Sequence, residues 1–216
     1  MHFNQQVTNS LIIGTQSKTR RKLLTDAGLT FQYQSPNINE EEILLGNKIV
    51  QSQQALRLAG EKALHLSQIY KNSIIVCFDT TVHINNKTIF KSTTKEECLS
   101  VLNLLNGKKH TLYTACVIIK NKKNLWSTVD RASITFKNNT KKKLKDYVSV
   151  HFNKIVKSVG CYNIESHGKE IIEKIDGSYY AILGVPLVPL YRALRFIKWE
   201  KRLALWQKNY HIAYRQ

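Results

Sequence analysis

Along the first third of the chain, apolar and polar residues alternate in blocks whose length and period assign the elements. Leu11-Ile12-Ile13-Gly14 is an unbroken apolar run too short for a helix and predicts a buried strand; residues 15–18 follow as a polar turn. A helix is predicted over 19–27, with Leu23 and Leu24 inward and Gly28 as its stop. Phe31 and Tyr33 alternate with Gln32 and Gln34, which suggests a second strand, and residues 35–42 read as a loop ending in Glu40-Glu41-Glu42. Val50, Leu56, Leu58, Ala59, Ala63, Leu64 and Leu66 then suggest one long helix over 47–70.

Ile74-Ile75-Val76-Cys77-Phe78 reads as a central strand with Asp79 at its carboxyl end. Val82-His83-Ile84 alternates before the turn pair Asn85-Asn86, and residues 95–105 form a helix closed by Asn106-Gly107. Residues 112–119, 125–136 and Ile164 are strand candidates, and Thr140 caps a basic helix over 141–150. Strands interleaved with helices predict an α/β fold, with no internal repeat and no linker.

Composition narrows the class. In 216 residues, 43% are hydrophobic, too many for a disordered chain, and nine Gly with three Pro exclude a collagen-like or linker-like one. The four cysteines form no C-x-x-C pair and sit mostly in apolar runs, so they read as buried hydrophobes in a reducing compartment. No run approaches the roughly 18 apolar residues of a membrane span, and no signal segment is evident, so the expected location is the cytoplasm. The charge changes the picture most: 33 Lys+Arg against 15 Asp+Glu leaves +18, which asks for an anionic partner or a solvated Lys-rich surface.

Candidate chemistry is spread over several short stretches. Thr15-Gln16-Ser17-Lys18-Thr19-Arg20-Arg21 crowds hydroxyls and cations where a strand turns into a helix; such a turn suits phosphate, or is an ordinary cap with surface arginines. Asp79, followed by Thr80 and Thr81, lies where α/β sheets place their sites, and can bind a metal, accept a proton from water, or close an Asx turn. Lys62 and Lys91 are flanked by apolar residues and either bring charge to a phosphate or are solvated. His110 reads as structural, and no Walker loop, zincin helix or nucleophile elbow is present.

The order of these weak signals is more informative than any one of them. Ser17-x-x-Arg20-Arg21 is followed by Glu61-Lys62-Ala63, an apolar run ending in Asp79-Thr80, and Lys91. Then come Asn106-Gly107-x-x-His110 with Thr114, Gly160-x-Tyr162-x-Ile164-Glu165-x-x-Gly168, Gly177-Ser178-Tyr179 and Gly184-Val185-Pro186-Leu187. This series resembles the Maf family from about residue 11 to 195.

The resemblance implies an elongated mixed-sheet α/β fold like that of inosine triphosphatases, with a nucleotide cleft between two lobes. It implies a domain over 11–195 and a basic aromatic extension over 196–216. The implied activity is hydrolysis of a nucleoside triphosphate to the monophosphate and pyrophosphate with Mg or Mn; a homodimer is among the assemblies it allows. By the same resemblance Asp79 is the general base and, with Glu40, a metal ligand. Thr15, Ser17, Arg20, Lys62 and Lys91 hold phosphate. Thr19, Thr80 and Glu165 sort the base: Thr80 is similar to the dTTP/UTP branch, Glu165 to the 7-methyl-GTP branch, and Thr19 to neither.

Departures from the family pattern are Gly14 and Lys18 for Ala and Pro, Cys77-Phe78 for small residues, and Ser92 for Pro. Phe78 either crowds the cleft or repacks the core, so a degenerate member is a second reading. In that reading the chain is a basic adaptor for nucleic acid, for a membrane surface or for the cell-division machinery. Lys141-Lys142-Lys143, Lys145 and the tail over 189–216, where Trp199, Trp206, Tyr210 and Tyr214 interleave with cations, would carry it. The plainer alternative is a terminal helix whose aromatics pack on the body.

Overall fold

A computed structural model describes residues 11–45 and 49–197. The elements run β1 (Leu11–Gly14), α1 (Lys18–Asp26), β2 (Gln32–Gln34), α2 (Glu40–Leu45), α3 (Gln51–Ile69), β3 (Ile74–Ile84) and β4 (Lys87–Ile89). There follow α4 (Lys95–Leu105), β5 (Lys109–Lys120), β6 (Lys123–Phe136), α5 (Lys141–Ile155), a 3₁₀ turn (Gly168–Glu170), β7 (Ile172–Gly177) and α6 (Tyr179–Ile182). A last helix, α7, occupies 187–197.

One mixed sheet of seven strands has the order β2-β1-β3-β5-β6-β7, with β4 paired to β3. β2, β1 and β3 are parallel; β3, β5, β6 and β7 are antiparallel. The mixed α/β architecture expected from the block pattern is therefore the one observed.

Alternation along β3 divides the molecule, because successive side chains point to opposite faces. Ile75 and Cys77 pack with Ile12 under α3, through Ala55, Ala59, Ala63 and Leu66. Ile74, Val76 and Phe78 pack on the other face with Leu24 of α1 and Leu190 and Leu194 of α7. Val82 and Ile84, further along, belong to a third cluster with Leu102 of α4 and Leu144 and Tyr147 of α5. Asp79, Thr80 and Thr81 are the polar interval between these cores.

Several local expectations are corrected. Residues 40–45 are helix, not loop: Glu40, Glu41 and Glu42 occupy the first turn of α2, where negative charge meets the positive end of the helix dipole, and Asn39 Oδ1 accepts from the Glu42 amide at 3.3 Å. Asp79 is not at a strand end. β1 stops at Gly14 opposite Cys77, but β5 keeps pairing with β3 through His83, so the carboxylate stands where the parallel part of the sheet ends. Ile164 lies in a turn over 164–167, and the strand in that region is β7, whose sequence Ile-Glu-Lys-Ile-Asp-Gly is mostly exposed. The helix after Thr140 runs to Ile155 instead of 150. Of the long helix predicted over 47–70, residues 47 and 48 lie outside the described part, and α3 begins at Gln51 after Val50.

Gly14 and Cys77 explain each other. A Cβ on Gly14 would overlap Cys77 Sγ and come within 2.8 Å of a Leu66 methyl, so the bare backbone leaves the space the thiol fills. Phe78 is fully buried in the α1/α7 core and so does not crowd the polar interval. Ser92 accepts a 3.1 Å hydrogen bond from the Cys161 thiol. All four cysteines are free and buried, as the sequence suggested. His110 is buried against Tyr162, with Nε2 2.9 Å from the phenol oxygen, and burial holds its pKa down at about 4: a structural histidine.

Candidate active site

Helical periodicity on α3 brings the first charge to the sheet. The buried stripe Ala55, Leu58, Ala59, Lys62, Ala63 and Leu66 contains a single cation, and Lys62 is 6% exposed. Asp79, on the same face of β3 as Cys77 and 5% exposed, takes the Lys62 ammonium on Oδ1. The same ammonium lies 2.6 Å from Glu40 Oε1, and the other Glu40 oxygen lies 3.1 Å from Lys91 Nζ. Asp79, Lys62, Glu40 and Lys91 thus form one chain of alternating charge, built from β3, α3, α2 and the segment after β4.

Burial would raise the Glu40 pKa, but the Lys62 and Lys91 ammoniums outweigh it and hold the carboxyl at about 2. For Lys62, burial opposes the charge while Asp79 and Glu40 favour it, and the net shift is upward. A depressed folded-state pKa means that ionised Glu40 stabilises the fold fully above about pH 4.5, and that this is lost as pH falls towards 2. The stability difference between wild type and Glu40→Gln is accordingly expected to shrink across that window, as read by denaturant unfolding at stepped pH. A difference that stays constant from pH 5 to 2 would contradict the ion chain.

On the opposite face, Ser17 caps α1 by accepting from the Arg20 amide at 3.3 Å, and Thr15 Oγ1 accepts from the Ser17 amide at 3.1 Å. Arg20 Nη1 donates to the Phe78 carbonyl at 3.3 Å and Nη2 to Thr80 Oγ1 at 3.0 Å. Thr114 gives its one hydroxyl proton to the Ala181 carbonyl at 2.8 Å, so in the 2.9 Å Thr80–Thr114 contact Thr80 is the donor. The Thr80 hydroxyl is therefore spent on Arg20 and Thr114. Gly184, at φ +88, backs the guanidinium: a Cβ there would stand 2.5 Å from Arg20 Nε. Burial lowers the Arg20 pKa against the pull of Asp79 and Glu40, and a guanidinium stays charged regardless.

Thr19 and Glu165, 146 residues apart, meet directly: Thr19 Oγ1 donates to Glu165 Oε2 at 2.8 Å. Of the residues singled out in the sequence, Asp79, Lys62, Glu40 and Lys91 are joined in one network, and Arg20 in a second with Thr80 and the Thr15–Ser17 turn. Thr19 pairs with Glu165. The two networks share adjacent residues of β3, Asp79 and Thr80.

Sequence reasoning missed the Thr114–Ala181 link, the support from Gly184, and a relay beyond Asp79. There His83 contacts Thr81 at 2.8 Å and Thr88 at 3.2 Å, Thr88 donates to Gln54 at 2.9 Å, and burial holds the His83 pKa at about 4. The alternation Asp79-x-Thr81-x-His83 was the available signal, since period two puts all three on one face.

The lysines of α5 at 141–143 and 145 are exposed. In α7, Leu190, Ala193 and Leu194 are buried while Arg192 and Arg195 face outward; Trp199, Trp206, Tyr210 and Tyr214 lie outside the described residues. Among the described residues no helix is long and apolar enough to cross a membrane.

Comparison with known proteins gives the family. A family model described as "Maf-like protein" matches residues 10–197. A "Nucleoside triphosphate pyrophosphatase" of Pelagibacter ubique is 29% identical, over 89% of this chain and 100% of its own length. A "7-methyl-GTP pyrophosphatase" of Bartonella quintana is 30% identical over 88% of this chain and 97% of its own. A "dTTP/UTP pyrophosphatase" of Aquifex aeolicus is 29% identical over 86% and 94%. Near-equal identity to proteins with different named substrates leaves the choice of base to the site.

Proposed function

The chain belongs to the Maf-like family, and from that premise we propose that it is a nucleoside triphosphate pyrophosphatase, a hydrolase of acid anhydrides, acting on a guanine-type nucleotide such as 7-methyl-GTP. The observation that carries the choice of base is the Thr19–Glu165 contact. It sets an exposed carboxylate beside the start of α1, where it accepts from guanine N–H groups and favours the positive charge of a 7-methylated ring. Thr80, the position similar to the dTTP/UTP branch, has its hydroxyl engaged by Arg20 and Thr114.

In the reaction, Asp79 accepts a proton from the water that attacks the α-phosphorus, and the α–β anhydride breaks to release pyrophosphate. Lys62 and Lys91 pass from Glu40 to the triphosphate oxygens, and Arg20 adds guanidinium N–H groups not used on Phe78 and Thr80. The Ser17-capped start of α1 contributes its dipole to the same anion. Two carboxylates converging on one ammonium are hard oxygen donors of the kind Mg²⁺ or Mn²⁺ takes alongside phosphate oxygens, so Asp79 and Glu40 fit a divalent cation. Such an ion, when bound, supplies neutralisation of the triphosphate charge.

We place the catalytic unit at 11–195, with 196–216 as an extension, and its action in the cytoplasm, where free buried cysteines persist reduced. The departures near Asp79 are absorbed by packing, which supports an active enzyme over a degenerate one. The test is pyrophosphate release from GTP, 7-methyl-GTP, ATP, CTP, dTTP and UTP with Mg²⁺ or Mn²⁺. The expected result is fastest turnover of 7-methyl-GTP, with the preference lost in Glu165→Gln. Faster turnover of dTTP or UTP would overturn the choice of base, and no turnover of any nucleotide would overturn the activity.

A further inference from the structure

Away from these networks, three side chains with metal-ligating atoms meet at the end of α5. His151 comes from the last turns of that helix, and His167 and Glu170 come from the 3₁₀ turn and the residue before it. Their ligand atoms all lie within 4.8 Å of one another, the one such cluster among the described residues. His151 Nε2 and His167 Nδ1 stand 3.5 and 3.3 Å from the same oxygen, Glu170 Oε1.

Those separations have a meaning in coordination chemistry. A tetrahedral Zn²⁺-type ion with bonds of about 2.0–2.1 Å spaces its ligand atoms about 3.4 Å apart. We propose that His151, His167 and Glu170 form a binding site for a borderline transition-metal ion of the Zn²⁺ class, separate from the Asp79 site.

The surroundings select the ion. Lys142 and Lys143 line the open cavity of about 400 Å³ that His151 and Glu170 also face, and Lys154 Nζ lies 3.4 Å from His167 Nε2. Mg²⁺ or Ca²⁺ takes several oxygen donors, and this site offers one carboxylate; two imidazoles beside it suit an ion that bonds to nitrogen. The two rings are stacked, 3.7 Å between centroids and 12° apart, so their in-plane lone pairs lie in nearly parallel planes. Binding turns one imidazole about its Cβ–Cγ bond until the lone pairs converge, while the exposed Lys154 swings clear. The cavity gives the ion a way in, and water completes the coordination.

The site joins α5 to the segment that carries Glu165, two residues before His167. Occupancy therefore clamps that segment to the helix and stabilises the fold by mass action.

The test uses untagged protein titrated with Co²⁺, read by its visible d–d absorption, and with Zn²⁺, read by thermal unfolding. One tetrahedral-type Co²⁺ per chain and a Zn²⁺-dependent rise in melting temperature are expected. Both signals are lost in His151→Ala and in His167→Ala and retained in Asp79→Asn. Absence of both signals in the wild type, or their survival in the two histidine variants, would overturn the site. The readouts need no turnover, so they stand whatever the nucleotide panel returns.

Discussion

Asp79→Asn is expected to lower pyrophosphate release about 10²-fold or more while leaving the chain folded. The amide has the shape of the carboxylate and still offers Lys62 an oxygen, and Glu40 remains on the same ammonium. What is lost is the group that takes the proton from water. Loss of the proton acceptor lowers kcat, and loss of one carboxylate from the Asp79–Glu40 pair raises the concentration of divalent cation needed for half-maximal rate, so kcat is compared at saturating metal. Steady-state kinetics with thermal unfolding as the control separates the two effects. Wild-type turnover in a folded Asp79→Asn protein would remove Asp79 from the chemistry and leave it a structural partner of Lys62.

Lys62→Met makes the complementary point about stability. Methionine follows the lysine stem through the apolar stripe of α3, but the ammonium that serves Asp79 and Glu40 disappears. Glu40 is partly exposed and keeps Lys91, whereas Asp79 is 5% exposed and loses its salt-bridge partner. Removing one member of a buried pair destabilises by about 3–5 kcal/mol, because the remaining charge is stranded away from water. For a domain of this size that is a fall of roughly 10 °C in melting temperature. The double variant Lys62→Met with Asp79→Leu should recover much of the loss, since two apolar groups of similar volume replace a buried ion pair with little penalty. Additive losses in the double variant would show that the two side chains do not interact.

The sequence could reveal an element wherever one local pattern sufficed. The apolar runs of β1 and the first half of β3, the periodic faces of α3 and α4, and the Thr140 cap of α5 each come from neighbours within a turn or a strand. α2 was hidden because three glutamates in succession look solvated, and only the position after Asn39 makes them a first helical turn. β7 was hidden because four of its six residues are charged or glycine, and its strand character comes from pairing with β6. The continuation of β3 past Asp79 rests on β5, about 30 residues downstream, and only from Val82 onward on the adjacent strand β4.

The site followed the same rule. Lys62 could have been placed on the buried face of its helix by spacing from Ala55, Ala59 and Leu66 alone. Thr19 and Glu165 each stood out through the family resemblance, but their contact across 146 residues is tertiary and no local pattern contains it.

Gly14 and Cys77 impose an order on mutational history. A chain with alanine at position 14 meets a collision as soon as a cysteine appears at position 77, because the added Cβ and the sulfur claim the same space. A stepwise path to the present pair therefore passes through glycine first, with a small cavity as its intermediate. The way back must shrink residue 77 before residue 14 can grow. Each substitution is permissive for the next in one direction only, so the fitness effect of either change depends on its background. A survey of single substitutions in this chain would score Gly14→Ala as harmful, although the same alanine costs less in a chain with a smaller residue at 77, where only the Leu66 methyl has to move.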